Sequence, residues 1–276
     1  MNLKLGTREK AIITASFFTL VVVAIVVAGT LIPDSALLVD LSNANLAPSL
    51  EHPFGTDWVG RDMLLRTLKG LRLSIWTGMI CSLTSSAIAV VLGILGPILG
   101  GWFDEAVSWL VDLVMSIPHT ILVILISIAC GGGFKGVVIG VAATHWTSLT
   151  RVIRAEVLQT MESEYVKSAK RFGKSRLYIC AQHLFPHIIP QLVVGTILVF
   201  PHAIIHEASI TFLGFGLPPH EPAIGVILSE SMKYLTAGRW WLGLFSGATL
   251  VLVSLAVSAV GNNLKRIIDP SAAYKM

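Results

Sequence analysis

Of the eight histidines in this chain, His202 and His206 are the pair best placed for chemistry, because they stand four residues apart on one helical face. Neutral imidazoles at that spacing can hold a borderline divalent metal such as nickel or cobalt. Two such ligands bind weakly and release readily, which suits transit more than storage. Glu207 offers an oxygen, although one position past His206 it points to a different face. His145, followed by Trp146, and His119, which follows Pro118, are further candidates. A histidine inside an apolar helix more often hydrogen-bonds a neighbouring helix than binds a ligand; that is the preferred reading for His119 and for His145, while the His202/His206 pair stays open between the two. No firmly bound metal and no catalytic residue are expected. A zincin would need His-Glu-x-x-His, and here the glutamate follows the second histidine. Cys81, Cys130 and Cys180 lack metal-like spacing and read as small buried hydrophobes.

The elements that must position these residues are apolar helices. The chain of 276 residues is 54% hydrophobic and only 13% charged, against about a quarter charged in ordinary soluble domains. Residues 11–32, 73–103, 113–134 and 240–264 contain no Asp, Glu, Lys or Arg. Roughly 20 apolar residues span a bilayer as a helix, and in lipid the backbone must satisfy itself. Two weaker candidates, 136–150 and 188–215, bring the expectation to six spans in an all-α membrane protein. The first apolar stretch is longer than a signal-peptide core and is read as a retained helix. Gly93, Gly96, Gly100 and Gly101 are expected at helix contacts. Prolines 97, 118, 190 and 201 are expected at kinks or span ends.

Thirteen of the 20 lysines and arginines lie in three places: before residue 11, in 151–187, and after residue 264. The positive-inside rule then puts both termini in the cytosol. The organisation expected is a cytosolic N-terminus at 1–10, a first span at 11–32 and an extracytoplasmic segment at 33–72. A five-span core covers 73–264, and a cytosolic tail covers 265–276. Residues 62–72 could lie as a short helix at headgroup level.

The core is interrupted by a basic island, placed in the cytosol by the same rule. Residues 164–178 favour a helix with Glu164 at its positive end. Gly173 permits a turn, and a second short helix from Arg176 is stopped by Pro186. Such a knob carries Tyr165 and Phe172, apolar positions that a partner would cover.

The island resembles the EAA loop of ABC importer permeases through Glu164-Tyr165-Val166, Ser168-Ala169, Gly173, Ser175 and His183-Leu184-Phe185-Pro186. Three other stretches are similar to the subfamily that imports peptides and nickel. They are His52-Pro53-Phe54-Gly55-Thr56-Asp57 with Gly60-Arg61-Asp62 and Arg66; Asp112-Leu113-Val114-Met115-Ser116-Ile117-Pro118; and Ser209-Ile210-Thr211-Phe212-Leu213-Gly214-Phe215-Gly216 with Gly225. The likeness covers about residues 50–270 and is to C-type subunits. The histidines make it closer to nickel and metal permeases than to dipeptide ones. Ser168 and His187 depart from the common Ala and Asn.

The resemblance implies a type I importer permease with a cytosolic coupling loop at about 155–187, in the cytoplasmic (inner) membrane. It implies a heterodimer with a sibling permease, two cytosolic ATPases that carry the ATP and magnesium, and an extracytoplasmic binding protein. It implies coupling through Glu164, Tyr165, Ala169 and Gly173. A metal path through His145, His202, His206 and Glu207 would make the cargo nickel, cobalt or a metal–chelator complex. Dipeptide or oligopeptide import by the same architecture is the alternative. No Gly-rich Lys-Ser/Thr loop occurs in the chain, so it is not expected to be an enzyme or to carry a cofactor of its own.

Overall fold

A computed structural model describes residues 6–268 as a helical assembly without β-sheet. Ten α-helices follow in order: α1 (Thr7–Leu31), α2 (Met63–Leu99), α3 (Gly101–Ser116), α4 (His119–Ala129), α5 (Gly133–Met161), α6 (Glu164–Arg171), α7 (Arg176–Ile179), α8 (Phe185–Phe212), α9 (Ile224–Leu235) and α10 (Trp241–Ile268). Lys4, Lys275 and the tail beyond Ile268 lie outside the described residues. Helices α2 and α5 form the central pair, with α8 against both and α4 on α5. The α1 and α10 helices pack together on the flank of α2.

Four stretches are long and apolar enough to cross a membrane: α1, α2, the continuous run Arg176–Phe212, and α10. A fifth is reached if α3 and α4, bent by 99° at their junction, count as one broken span. The six spans expected are therefore not all matched by length and composition. The shortfall is α5, which contains 136–150. Its 29 residues include Thr144, His145, Thr147, Thr150, Arg151 and Arg154. A helix enclosed by α2, α4 and α8 faces protein on most sides, so it has no need of the lipid-facing composition that marks α1.

Three boundaries differ from the sequence expectations. Residues 63–72 are the opening turns of α2 rather than a separate surface helix, capped by Asp62 accepting from the Leu65 amide at 3.0 Å. The charge-free run 73–103 turns at Gly100 and Gly101, both at positive φ, so these two make a corner rather than a helix contact. Gly93 and Gly96 do admit close neighbours: a Cβ on Gly93 would lie 2.8 Å from Ile153, and one on Gly96 would lie 2.8 Å from Asp104. Pro186 does not stop a helix. A wide π-turn over Cys180–Leu184 joins α7 to α8, and Pro186 sits in the first turn of α8, where a missing N–H costs nothing. Prolines 97, 190 and 201 lie within helices that continue past them, and only Pro118 marks a break.

Candidate functional site

Ile117 and Pro118 make the break that shapes the site. Steric pressure from the proline ring drives the residue before it out of the helical region, and Ile117 is extended at φ −89°, ψ 136°. The chain turns, α4 starts at His119, and that imidazole folds back toward α5 and α8. His119 lies with its ring centroid 4.4 Å from His145 of α5 and 4.4 Å from His206 of α8, while His145 and His206 are 5.1 Å apart. One nitrogen from each of the three lies within 4.8 Å of the others. All three are half-buried and line a cavity of about 690 Å³ bounded by residues of α3, α4, α5 and α8.

The hydrogen bonds say which nitrogens are free. His145 Nδ1 is 3.0 Å from the Val141 carbonyl oxygen. A carbonyl only accepts, so Nδ1 carries the proton and Nε2 keeps its lone pair. His119 Nδ1 is buried with no hydrogen-bond partner. The tight seat of α4 against α5 holds this arrangement, because a Cβ on Gly140 would lie 2.8 Å from the Val123 carbonyl oxygen, and one on Gly136 2.5 Å from that of Ser127.

His202 lines the same cavity one turn away from His206 and is exposed, outside the close group. Glu207 does not face the cavity. It is completely buried, its Oε1 accepts from the Thr211 hydroxyl at 3.1 Å, and Oε2 has no partner. Thr211 Oγ1 also accepts from the Leu217 amide at 3.2 Å, so Glu207 supports the turn that follows α8. His119, the least favoured of the candidate ligands from sequence, thus takes the place that pairing by helical spacing gave to His202. Its proline neighbour was the available signal. A second cavity of about 650 Å³ between α8, α9 and α10 is almost wholly apolar and holds no such group.

The basic island folds as a separate projection. Val166, Ile179 and Leu184 are buried against Ile153, Val157 and Ile188, which seats α6 and α7 on the ends of α5 and α8. Gly173, at φ 72°, closes α6: its amide donates to the Lys170 carbonyl and the Lys174 amide to that of Ala169. Ser175 caps α7 through the Tyr178 amide. Glu164 opens α6 with its side chain exposed, 3.7 Å from the Lys167 ammonium. Ala169 turns toward the buried cluster. Tyr165 is half-exposed, while Phe172 and Leu177 are 82% and 78% exposed. The two histidines here have structural contacts. His183 stacks edge-on with Tyr165 and Tyr178. His187 meets Glu156 of α5 at 3.0 Å.

At the other end, the stretch from His52 to Arg66 forms a clasp over the start of α2. The Asp57 carboxylate accepts from the amides of Val59 and Arg61 and from the guanidinium of Arg61 at 2.7 Å. Arg66 lies 3.3 Å from Asp57 and 2.6 Å from Glu230 of α9, the latter an ion pair without hydrogen-bond alignment. Gly60 is obligatory, since a Cβ there would fall 1.8 Å from the Asp40 carbonyl oxygen.

With this architecture in view, residues 86–274 match the family described as "Binding-protein-dependent transport system inner membrane component". The chain belongs to that family, and it is a permease subunit of an ABC importer. It is 34% identical over 226 residues to a chain of Brucella suis biovar 1 (strain 1330) provisionally named a peptide transport system permease protein, covering 81% of this chain and 75% of that one. It is 29% identical over 264 residues to the dipeptide transport system permease protein DppC of Bacillus subtilis (strain 168), covering 95% and 82%. The fold is similar to that of a chain in inward-facing MetNI methionine ABC transporter structures, with a TM-score of 0.62 at 15% identity, covering 75% of this chain and 98% of that one. At that identity the last likeness carries the fold alone.

Proposed function

We propose that this subunit passes dipeptides or oligopeptides across the cytoplasmic membrane, driven by ATP hydrolysed on partner subunits. The observation that carries the cargo is the naming of its relatives, which are peptide and dipeptide permeases. They favour the peptide alternative over the nickel or cobalt cargo that the histidine pattern suggested. The cavity beside α5 and α8 is consistent in scale, since small-molecule pockets run about 300–1,000 Å³ and this one is about 690 Å³. Among the described residues, no Asp, Glu, Lys or Arg lines it.

In this reading six spans cross the membrane. Helix α5 supplies the sixth, its 29 residues reaching roughly 43 Å at 1.5 Å per residue. Both termini and the α6–α7 projection face the cytosol, and the permease core, 73–264, pairs with a sibling permease. Tyr165, with Phe172 and Leu177, presents the apolar face that enters a cleft of one ATPase. Glu164 holds the start of α6, Ala169 seats it, and Gly173 makes its bend. ATP binding then selects between two permease states through contacts made only in one of them. The chain has no catalytic group of its own in this scheme, and an extracytoplasmic binding protein supplies the cargo.

Uptake of labelled dipeptide and of labelled nickel, measured side by side in cells carrying the whole transporter, tests the cargo. ATP-dependent accumulation of dipeptide is the expected result, and transport of nickel with no peptide uptake would overturn it. A cysteine at 165 or 172 should cross-link to an ATPase subunit.

A further inference from the structure

The cluster of His119, His145 and His206 is not explained by peptide passage. Peptides need width and few fixed ligands, yet three imidazoles from three helices converge here with their rings at 4.4, 4.4 and 5.1 Å. We propose that these three side chains form a binding station for a divalent first-row transition ion, with its open coordination positions turned into the cavity. This builds on the import reading above by adding a metal-bearing form of cargo.

Ligand atoms no more than 4.8 Å apart place a central ion within about 2.8 Å of each, and small rotamer changes close that to the roughly 2.0–2.1 Å of a Zn–N bond. His145 is already oriented as such ligands are, with Nδ1–H donated to the Val141 carbonyl and Nε2 free. His119 Nδ1 is a buried polar atom with no partner, and a metal ion would satisfy it. Three protein ligands with a vacant fourth position is the pattern of sites that exchange a ligand, while closed four-ligand sites are structural.

The charge balance narrows what the ion carries with it. No carboxylate among the described residues lines the cavity, and Glu207, the acid of α8, is buried elsewhere with Thr211. A bare dication among neutral imidazoles and apolar walls is poorly stabilised. An anionic donor brought by the cargo, such as the carboxylate or deprotonated amide of a small peptide, fills the open positions and offsets that charge. The station therefore favours a metal–peptide complex over the free ion, and imidazoles without an acid let it go again.

The test uses the purified, tag-free transporter in nanodiscs, titrated with Co²⁺ and followed by the visible absorption of the bound ion, with and without diglycine. Saturation near one ion per chain is expected, tightened by diglycine. Single changes His119→Gln, His145→Gln and His206→Gln should each weaken binding at least about tenfold, whereas His220→Gln, on the exposed outer loop, should leave it unchanged. Absence of a saturating band, or equal binding by all three variants and the parent, would overturn the site. Equal affinity with and without diglycine would remove the ternary part. Should the variants fail to assemble, X-ray absorption of the Co²⁺-loaded parent decides, since a shell without three imidazoles contradicts the proposal. Dipeptide uptake in metal-depleted medium, scored in parallel, bears on the cargo reading alone.

Discussion

The α6–α7 projection and the histidine cavity are built in opposite ways. The turns and caps that shape the projection span five residues or fewer: the Gly173 closure, the Ser175 cap and the Lys167–Glu164 pair. Its ties to the rest of the chain are the apolar seat on α5 and α8 and a hydrogen bond from Arg176 to the Ile98 carbonyl at 3.1 Å. The cavity group joins residues 26 and 61 positions apart in the chain, through a 99° bend and two helix contacts with no room for a Cβ. A projection stabilised locally can be moved as a rigid lever without being rebuilt. A site assembled from three helices changes shape whenever those helices shift. Under the proposed function, with the projection as the grip on the ATPase and the cavity as the cargo site, that division suits a grip that persists through the cycle and a cargo site that does not.

The difference can be broken most severely at the base of the projection. Val166→Asp places a carboxylate in a fully buried cluster and should cost about 3 kcal/mol or more. ATP-driven uptake should fall to background, with loss of co-purifying ATPase, while peptides spanning 164–179 keep their helical tendency by circular dichroism. Full uptake by this variant would mean that the projection is not seated as described.

Gly140→Val probes the other side. Its added atoms meet the Val123 carbonyl, and overpacking of this kind costs about 1–3 kcal/mol. Cobalt affinity should drop while cross-linking from position 172 to the ATPase persists, because the strain falls between α4 and α5. Equal loss of both would erase the distinction between the two regions.

Gly173→Ala is milder. Nothing lies within 4 Å of the added methyl, so the cost is the left-handed backbone alone, about 1–2 kcal/mol, read as a lower Tm and partly recovered by Gly173→Asn. His187→Ala is the smallest. It removes a half-exposed contact with Glu156, and partly solvated pairs contribute at most about 1 kcal/mol. A Tm shift of several degrees would give that contact a larger part in holding α8 to α5.

The expectations that succeeded and failed divide along the same line. Glu164 and Gly173 were legible because a helix start or a turn is written within a few residues. The apolar spans of α1, α2 and α10 were legible because hydropathy is additive along a helix. Helix α5 was less so, since the enclosure that excuses its polar residues is supplied by other helices. Pro186 misled because the wide turn before it, which removes the penalty for a missing N–H, cannot be seen one residue at a time. Pairing His202 with His206 followed helical periodicity, which reports a shared face and nothing about which neighbour stands opposite.

By itself the sequence determined that the chain is a bundle of apolar helices bearing a basic, glycine-jointed projection, because hydropathy, charge and capping act over one or two helical turns. Tertiary structure alone decided that His119 joins His145 and His206, that His202 stands apart, and that Glu207 turns away to brace the loop after α8. Those outcomes depend on the direction the chain takes after Pro118 and on how closely Gly136 and Gly140 let α4 approach α5. Distances between residues so far apart in the chain are set only when the helices pack.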